Sequence, residues 1–288
     1  MILTIIKKAQ ISFSRNLKSI QMSLLRNSFA GSFYPNNPLI LQKQLQTFLS
    51  EPSKTINKPK AIIVPHAGYI YSAQTAAYGY KQLENENIKT VIILAPAHKT
   101  FHQSLAIPSE KSLETPLGNL DVDESKINEL LSSNIFIKDS RPHYQEHSLE
   151  VQLPFLKYLL PECKIIPINV GMIDLAIAKK AGREIASVMD NNTVLVVSND
   201  LSHYHSLKTA KELDEKTINH ILKMSPDNLL NQHQMKEADC CGVFPITLLL
   251  ATLNELAITK NKLLYYDTSA TASFDDKHVV GYASIAFY

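Results

Sequence analysis

Three uninterrupted apolar runs, AIIV (61–64), VIIL (91–94) and VLVV (194–197), constrain this chain more than any other feature. Four apolar residues in a row, with no polar alternation, read as strands covered on both faces, the pattern of a parallel sheet packed between helices. KIIPINV (164–170) reads the same way, and SLAIP (104–108) as a shorter strand. Between them the apolar spacing turns helical. Leu39, Leu41, Leu45 and Leu49 mark a helix over 38–50, and further helices are expected over 72–83, 123–133, 174–189, 207–224 and after Gly242. SLEVQLPFLKYLL (148–160) is helical in spacing but contains Pro154, which should kink or restart it. KLLYYDTS and VVGYASIAFY close the chain as strands. The expected fold class is therefore α/β, a single domain with a mostly parallel central sheet covered by helices.

At 288 residues and 45 % hydrophobic content the chain can bury a sizeable core. No apolar run approaches the roughly eighteen residues that span a bilayer, so no membrane partner is expected. Three cysteines with no CxxC pair argue against a disulfide framework or a zinc finger, and point to a reducing cytoplasm. The net charge of +2 hides an asymmetry, because residues 1–26 hold Lys7, Lys8, Arg15, Lys18 and Arg26 and no acid. Setting those five aside leaves 24 basic against 27 acidic residues, without the basic stripe of a nucleic-acid binder. The basic start is expected to be an extension, either loosely ordered or upstream of a true start at Met22, and it lacks the apolar core and cleavage site of a secretory signal. The organisation expected is an extension over 1–26 and one α/β domain over 27–288.

Each of three strands delivers a histidine just beyond its downstream end: His66 in AIIVPHAGYIY, His98 in VIILAPAHK and His203 in VLVVSNDLSHYH. Open α/β sheets bind ligands at that edge. His66 and His98 are 32 residues apart, about one strand–helix–strand unit. Their strands should lie about 5 Å apart as neighbours, or about 10 Å with one strand between. Either spacing lets two imidazoles converge on an ion with bonds of about 2 Å. A lone histidine is more often a satisfied core or surface residue; three on one edge favour a shared metal-centred site. Asp200 can fix a histidine tautomer by hydrogen bonding, or cap the following helix. The paired cysteines of ADCCG (238–242) could simply be buried, yet they sit at a helix start whose dipole would favour thiolate. A thiolate would complete a two-histidine, one-cysteine set suited to iron, copper or zinc. Tyr69 follows the glycine turn after His66 and is a candidate ligand contact. HYQEHSLEVQLPF supplies Glu146 and His147, which are either caps and surface charge or groups at the rim of the same site. GxSxG, P-loop and GxGxxG motifs are absent, which disfavours a nucleophile-elbow hydrolase, a nucleotidase and a dinucleotide-dependent enzyme.

From about residue 26 to the end the sequence resembles the Memo family, whose bacterial members are called AmmeMemoRadiSam system protein B. The resemblance is carried, in order, by RNSFAGSFYP, AIIVPHAGYIYSA, ILAPAHK, TPLGNLDVD, EHSLEVQLPFL, IIPINVG, VVSNDLSHY and the CCG before FPI. It implies a fold similar to the class III (LigB-like) non-haem iron extradiol dioxygenases, in which two histidines and a glutamate hold iron and a further histidine serves as acid and base. By position, His66 and His98 match the metal histidines, Cys241 stands near the third ligand, and His203 resembles the acid–base histidine with Asp200 nearby. Cys240 is an alternative to Cys241, although the position before glycine favours the latter. The resemblance also implies iron or copper as cofactor, an unknown small molecule or peptide as partner, and a functional link to radical SAM and AMMECR-type proteins. The animal member is associated with receptor-tyrosine-kinase signalling and phosphotyrosine peptides.

The sequence departs from the family pattern where Lys99 follows His98, which removes a second histidine there, and where Val243 follows CCG. Two functions follow as expectations. The first is a mononuclear metal-dependent oxidoreductase with His66, His98 and Cys241 on iron or copper, His203 transferring protons and Asp200 orienting it. A thiolate in place of a carboxylate changes ligand charge donation and is itself oxidisable, which argues against ordinary ring cleavage. The second is a non-catalytic binding or scaffold module that uses the ancestral pocket for a peptide or partner protein.

Overall fold

The apolar runs form the centre of a nine-stranded sheet because burial on both faces leaves each of them no solvent side to turn to. In a computed structural model that describes residues 23–288, β1 is Leu24–Leu25, β2 Ala61–Val64, β3 Thr90–Pro96, β4 Leu105–Ile107, β5 Ser112–Leu113 and β6 Leu120–Asp121. Six more follow: β7 Phe136–Lys138, β8 Lys164–Val170, β9 Thr193–Ser198, β10 His203–His205, β11 Asn261–Thr268 and β12 Val279–Phe287. The main sheet runs β10-β12-β2-β9-β3-β8-β4-β7, with β11 also paired to β12. β1, β5 and β6 make a small separate sheet.

The α/β single-domain expectation holds, with a sheet that is mixed rather than purely parallel. The centre, β2-β9-β3-β8, is parallel throughout, and β4 and β7 form a further parallel pair at one flank. β12 runs antiparallel to β2, β10 and β11, and β4 runs antiparallel to β8. β11 carries half-exposed positions, which an antiparallel edge tolerates and a covered parallel strand does not. Leu24–Leu25 of the expected extension pairs in parallel with β5. The rest of the basic extension, 1–22, lies outside the described residues.

The helices are α1 Pro38–Ser50, α2 Tyr69–Tyr80, α3 Glu124–Leu131, α4 His147–Glu150, α5 Leu153–Leu159, α6 Leu175–Val188, α7 Leu207–Leu222, α8 Pro226–Gln234, α9 Val243–Glu255 and α10 Ala270–Ser273. Asn37 caps α1 by accepting from Leu39 N and Ile40 N, and Leu41, Leu45 and Leu49 form its buried stripe. Pro154 acts as expected: it sits in the first turn of α5, which restarts after α4 instead of continuing it. The polar helix α8 and the strands β7 and β10 were not expected, because FIK and HYH are too short and too polar to show a period. Among the described residues no helix is long and apolar enough to cross a membrane.

α6 and α9 pack with their backbones in near contact, because Gly182 has no Cβ; one placed there would lie 2.9 Å from Thr252 N and 3.0 Å from Ala251 C. Gly182→Val should therefore force the helices apart and lower stability by about 1–3 kcal/mol in chemical denaturation, where helix propensity alone would leave it near neutral.

Candidate metal centre

β2 and β3 flank β9 in the sheet, so the wider of the two expected spacings is the one realised. His66 follows β2 by two residues and His98 follows β3 by two, and their rings meet across the end of β9 with centroids 5.2 Å apart. The strand between them supplies Ser198, which lies opposite Val64 in the parallel register. His66 is 1 % exposed and Ser198 fully buried.

The hydrogen bonds around His66 allow one tautomer. Tyr80 Oη donates to Gln152 Oε1 (2.9 Å), and Gln152 Nε2 donates to Pro65 O (2.9 Å), which fixes that amide's orientation. Gln152 Nε2 also donates to Ser198 Oγ (2.9 Å), and Ser198 Oγ gives its only hydrogen to Ser148 O (2.6 Å). His66 Nδ1, 2.7 Å from the same oxygen, must then be the donor. The unprotonated Nε2 faces Cys241 Sγ at 3.3 Å. His98 is fixed likewise: Nδ1 lies 2.9 Å from Glu146 Oε1, and the carboxylate also accepts from the backbone N–H of His98 (2.6 Å), Lys99 (3.2 Å) and Ser148 (3.1 Å). Burial pushes Glu146 upward, but the bonds and charge from His98 outweigh it and hold the carboxyl at about 2. A carboxylate that accepts at Nδ1 leaves His98 Nε2 free as a ligand.

Cys241 reaches the site because two loops are zipped together. Cys241 N donates to Asp200 O (3.1 Å), Asp200 N to Cys241 Sγ (3.3 Å) and Gly242 N to Asn199 Oδ1 (2.7 Å). A Cβ at Gly242 would come within 2.6 Å of that Asn199 oxygen, so only glycine allows the approach. Gly242 also begins α9, as the sequence indicates. The expected thiolate is corrected: burial, followed by the charge of Asp200, pushes the Cys241 thiol well above its ordinary value and outweighs the helix start.

Asp200 neither orients His203 nor caps a helix. Its Oδ1 accepts from His66 N (2.7 Å), its Oδ2 lies 3.9 Å from His66 Nε2, and burial pushes its carboxyl up to about 7. His203, on the edge strand β10, lines an open cleft of about 380 Å³ together with His147, Asp200, Phe33 and Tyr71. His147 stacks on His98 at 4.9 Å. Burial lowers His66, His147 and His203, with His147 at about 4 and neighbouring imidazoles depressing His66 further. Tyr69 does not face the cleft: it is buried against Tyr34 and Phe155 and donates to Val151 O (2.9 Å), while Tyr71 lines the cleft instead. Cys240 is buried, and its thiol is not among the clustered donors.

Sequence reasoning missed Ser148, Gln152 and Ser198. The first two are spaced i, i+4 in HSLEVQ, a polar pair on one face of an otherwise apolar stretch, and that was the available signal. It also missed the wall over His147. Glu150 accepts from Ser28 N, Phe29 N (both 2.8 Å) and Tyr34 Oη (2.6 Å), which holds Phe29 and Phe33 with ring centroids 5.6 and 4.8 Å from His147.

The donor set fits a metal. His66, His98 and Cys241 each offer an atom, all within 4.8 Å of one another. Nitrogen and sulfur donors bound at about 2.0 and 2.3 Å in a tetrahedral arrangement stand about 3.5 Å apart, close to the 3.3 Å found between His66 and Cys241. A second group, His98, Glu146 and His147, is also compact. It fits poorly, because Glu146 is already saturated by N–H donors and His98 Nδ1 carries its hydrogen.

The tautomer can be read without a metal. In ¹⁵N-resolved spectra of metal-free protein, His66 should be protonated at Nδ1; in Ser198→Ala that preference should weaken, with Nε2–H appearing. An unchanged tautomer in the variant would remove Ser198 from this role.

Residues 26–286 match the family model described as Memo-like protein. A MEMO1 family protein of Aquifex aeolicus is 33 % identical over 268 residues, covering 92 % of this chain and 100 % of its own length. One from Nitrosopumilus maritimus is 34 % identical, covering 90 % and 97 %. Among solved structures, an uncharacterized protein, JW3007, from Escherichia coli K12 shares the fold with a TM-score of 0.55 at 12 % identity, covering 79 % of this chain and 99 % of that one. With the match running through every element that builds the histidine and cysteine cluster, the chain belongs to the Memo family.

Proposed function

We propose that this protein binds a single redox-active metal ion, iron or copper, through His66 Nε2, His98 Nε2 and Cys241 Sγ, and acts as a metal-dependent oxidoreductase on a ligand admitted by the adjoining cleft. The observation that carries the reading is the convergence of two nitrogen lone pairs and one sulfur within 4.8 Å, with both tautomers fixed in the ligand form. Two imidazoles and a thiolate suit iron or copper, with zinc as the redox-inert alternative. The metal would supply electron transfer and Lewis acidity, and its charge would offset the desolvation that keeps Cys241 protonated.

The chain's own groups would do the rest. Phe29 and Phe33 pack against His147 beside the cluster. His203, which lines the cleft and which burial favours in its neutral form, would accept a proton from a bound ligand. Asp200 holds the His66 backbone and, through its own backbone, Cys241.

Metal content of protein purified anaerobically and without chelator is the test. Near-stoichiometric iron or copper is expected in the wild type, with large losses in His66→Ala, His98→Ala and Cys241→Ser. Ser198→Ala and Glu146→Gln should weaken affinity roughly 10–100-fold in competition titrations, since each disturbs a hydrogen bond that orients a ligand. A wild type that stays empty after anaerobic reconstitution with iron, copper and zinc would overturn the reading and leave the cleft as a binding surface.

A further inference from the structure

We infer that the cleft beside the histidine cluster takes a ligand bearing an organic ammonium group, held at the rim by Asp275 and the aromatic walls. This deepens the proposed function, resting on its reading of the cleft as the place where a ligand enters. The first observation is charge. Asp275 lines the cleft, its Oδ2 3.7 Å from Nδ1 of His278, which lines it with His147 and His203, and none of the lining residues is lysine or arginine. Asp275 is half-exposed at the rim, and the Lys277 N–H donates to its Oδ1 at 2.7 Å. That bond favours the carboxylate form. A phosphate or carboxylate ligand would normally be met by guanidinium, ammonium or free amide donors. The helix start beside this cleft, that of α2, has its leading amide taken, since Tyr69 N donates to Phe33 O at 2.8 Å.

The second observation is the wall. Phe33, Tyr71, Tyr204 and Tyr282 all contribute to it, and aromatic faces attract ammonium groups through their quadrupoles. Tyr204, in that wall, has its backbone in the left-handed region at φ +62°. It is 74 % exposed, so core packing does not explain why a large ring occupies that position. Such strain costs about 1–3 kcal/mol per residue and clusters where ligands are held. A carboxylate at the rim with aromatic faces around it is complementary to an ammonium group and not to an anion.

The experiment is a calorimetric titration of the metal-free full chain with three probes of one shape: phenethylammonium, 2-phenylethanol and phenylacetate. Phenethylammonium should bind about tenfold tighter than the alcohol, and phenylacetate weakest. Asp275→Asn should abolish the preference for the cation. Tyr204→Gly, which accepts the left-handed backbone without strain, should weaken the cation while leaving thermal stability equal or higher. The inference is overturned if phenylacetate binds as tightly as the amine, if Asp275→Asn keeps the preference, or if none of the three probes saturates. Absence of metal binding would leave these titrations unchanged, so the two readings fail separately.

Discussion

Ser198 has one hydroxyl hydrogen, and the arrangement of the histidine cluster follows from where it goes. The Ser148 carbonyl takes it, Gln152 fills one lone pair, and the remaining one can only accept, so His66 must donate from Nδ1 and present Nε2. Every member of this chain of contacts, back to Tyr80, is buried and shielded from competing water. The fold makes the arrangement possible by setting β9 between β2 and β3: the middle strand carries the hydroxyl and the outer two carry the imidazoles. Glu146 plays the corresponding part for His98 with a full charge, steadied by three backbone amides.

Burial then acts on the cluster in two opposite senses. It holds His66 neutral, which is the form an imidazole needs to bind a metal. It also holds Cys241 as a thiol, the form that does not bind one. The helix start that should have favoured thiolate acts from one direction over one turn, whereas desolvation of the half-buried sulfur outweighs it, and Asp200 adds a further upward push. A cation entering the cluster would reverse the balance at the sulfur while finding the nitrogens already in place.

Much of this was legible before the structure. The covered strands, the helix periods and the restart at Pro154 follow from local spacing, and three histidines past strand ends point to one edge of the sheet. The donors His66, His98 and Cys241 do come together. The errors lie where sequence neighbours point in different directions. Tyr69 and Tyr71 are two residues apart on α2, so one enters the core and the other the cleft. Asp200 is three residues from His203 in sequence, yet its carboxylate turns to His66 across the sheet edge. HYH forms an edge strand through its partner β12, a contact no local period encodes.

The amino-acid sequence by itself determined the layered α/β class and the edge at which the chemistry gathers, because both depend on apolar runs and on which residues end them. Tertiary structure decided the strand directions at the sheet's flanks, the tautomers, and the protonation of Cys241. Strand direction depends on which segment pairs at each edge, and a tautomer depends on how many hydrogens the surrounding partners have left to give. A thiol's ionisation depends on the water excluded from around it, and none of these quantities exists until distant segments have met.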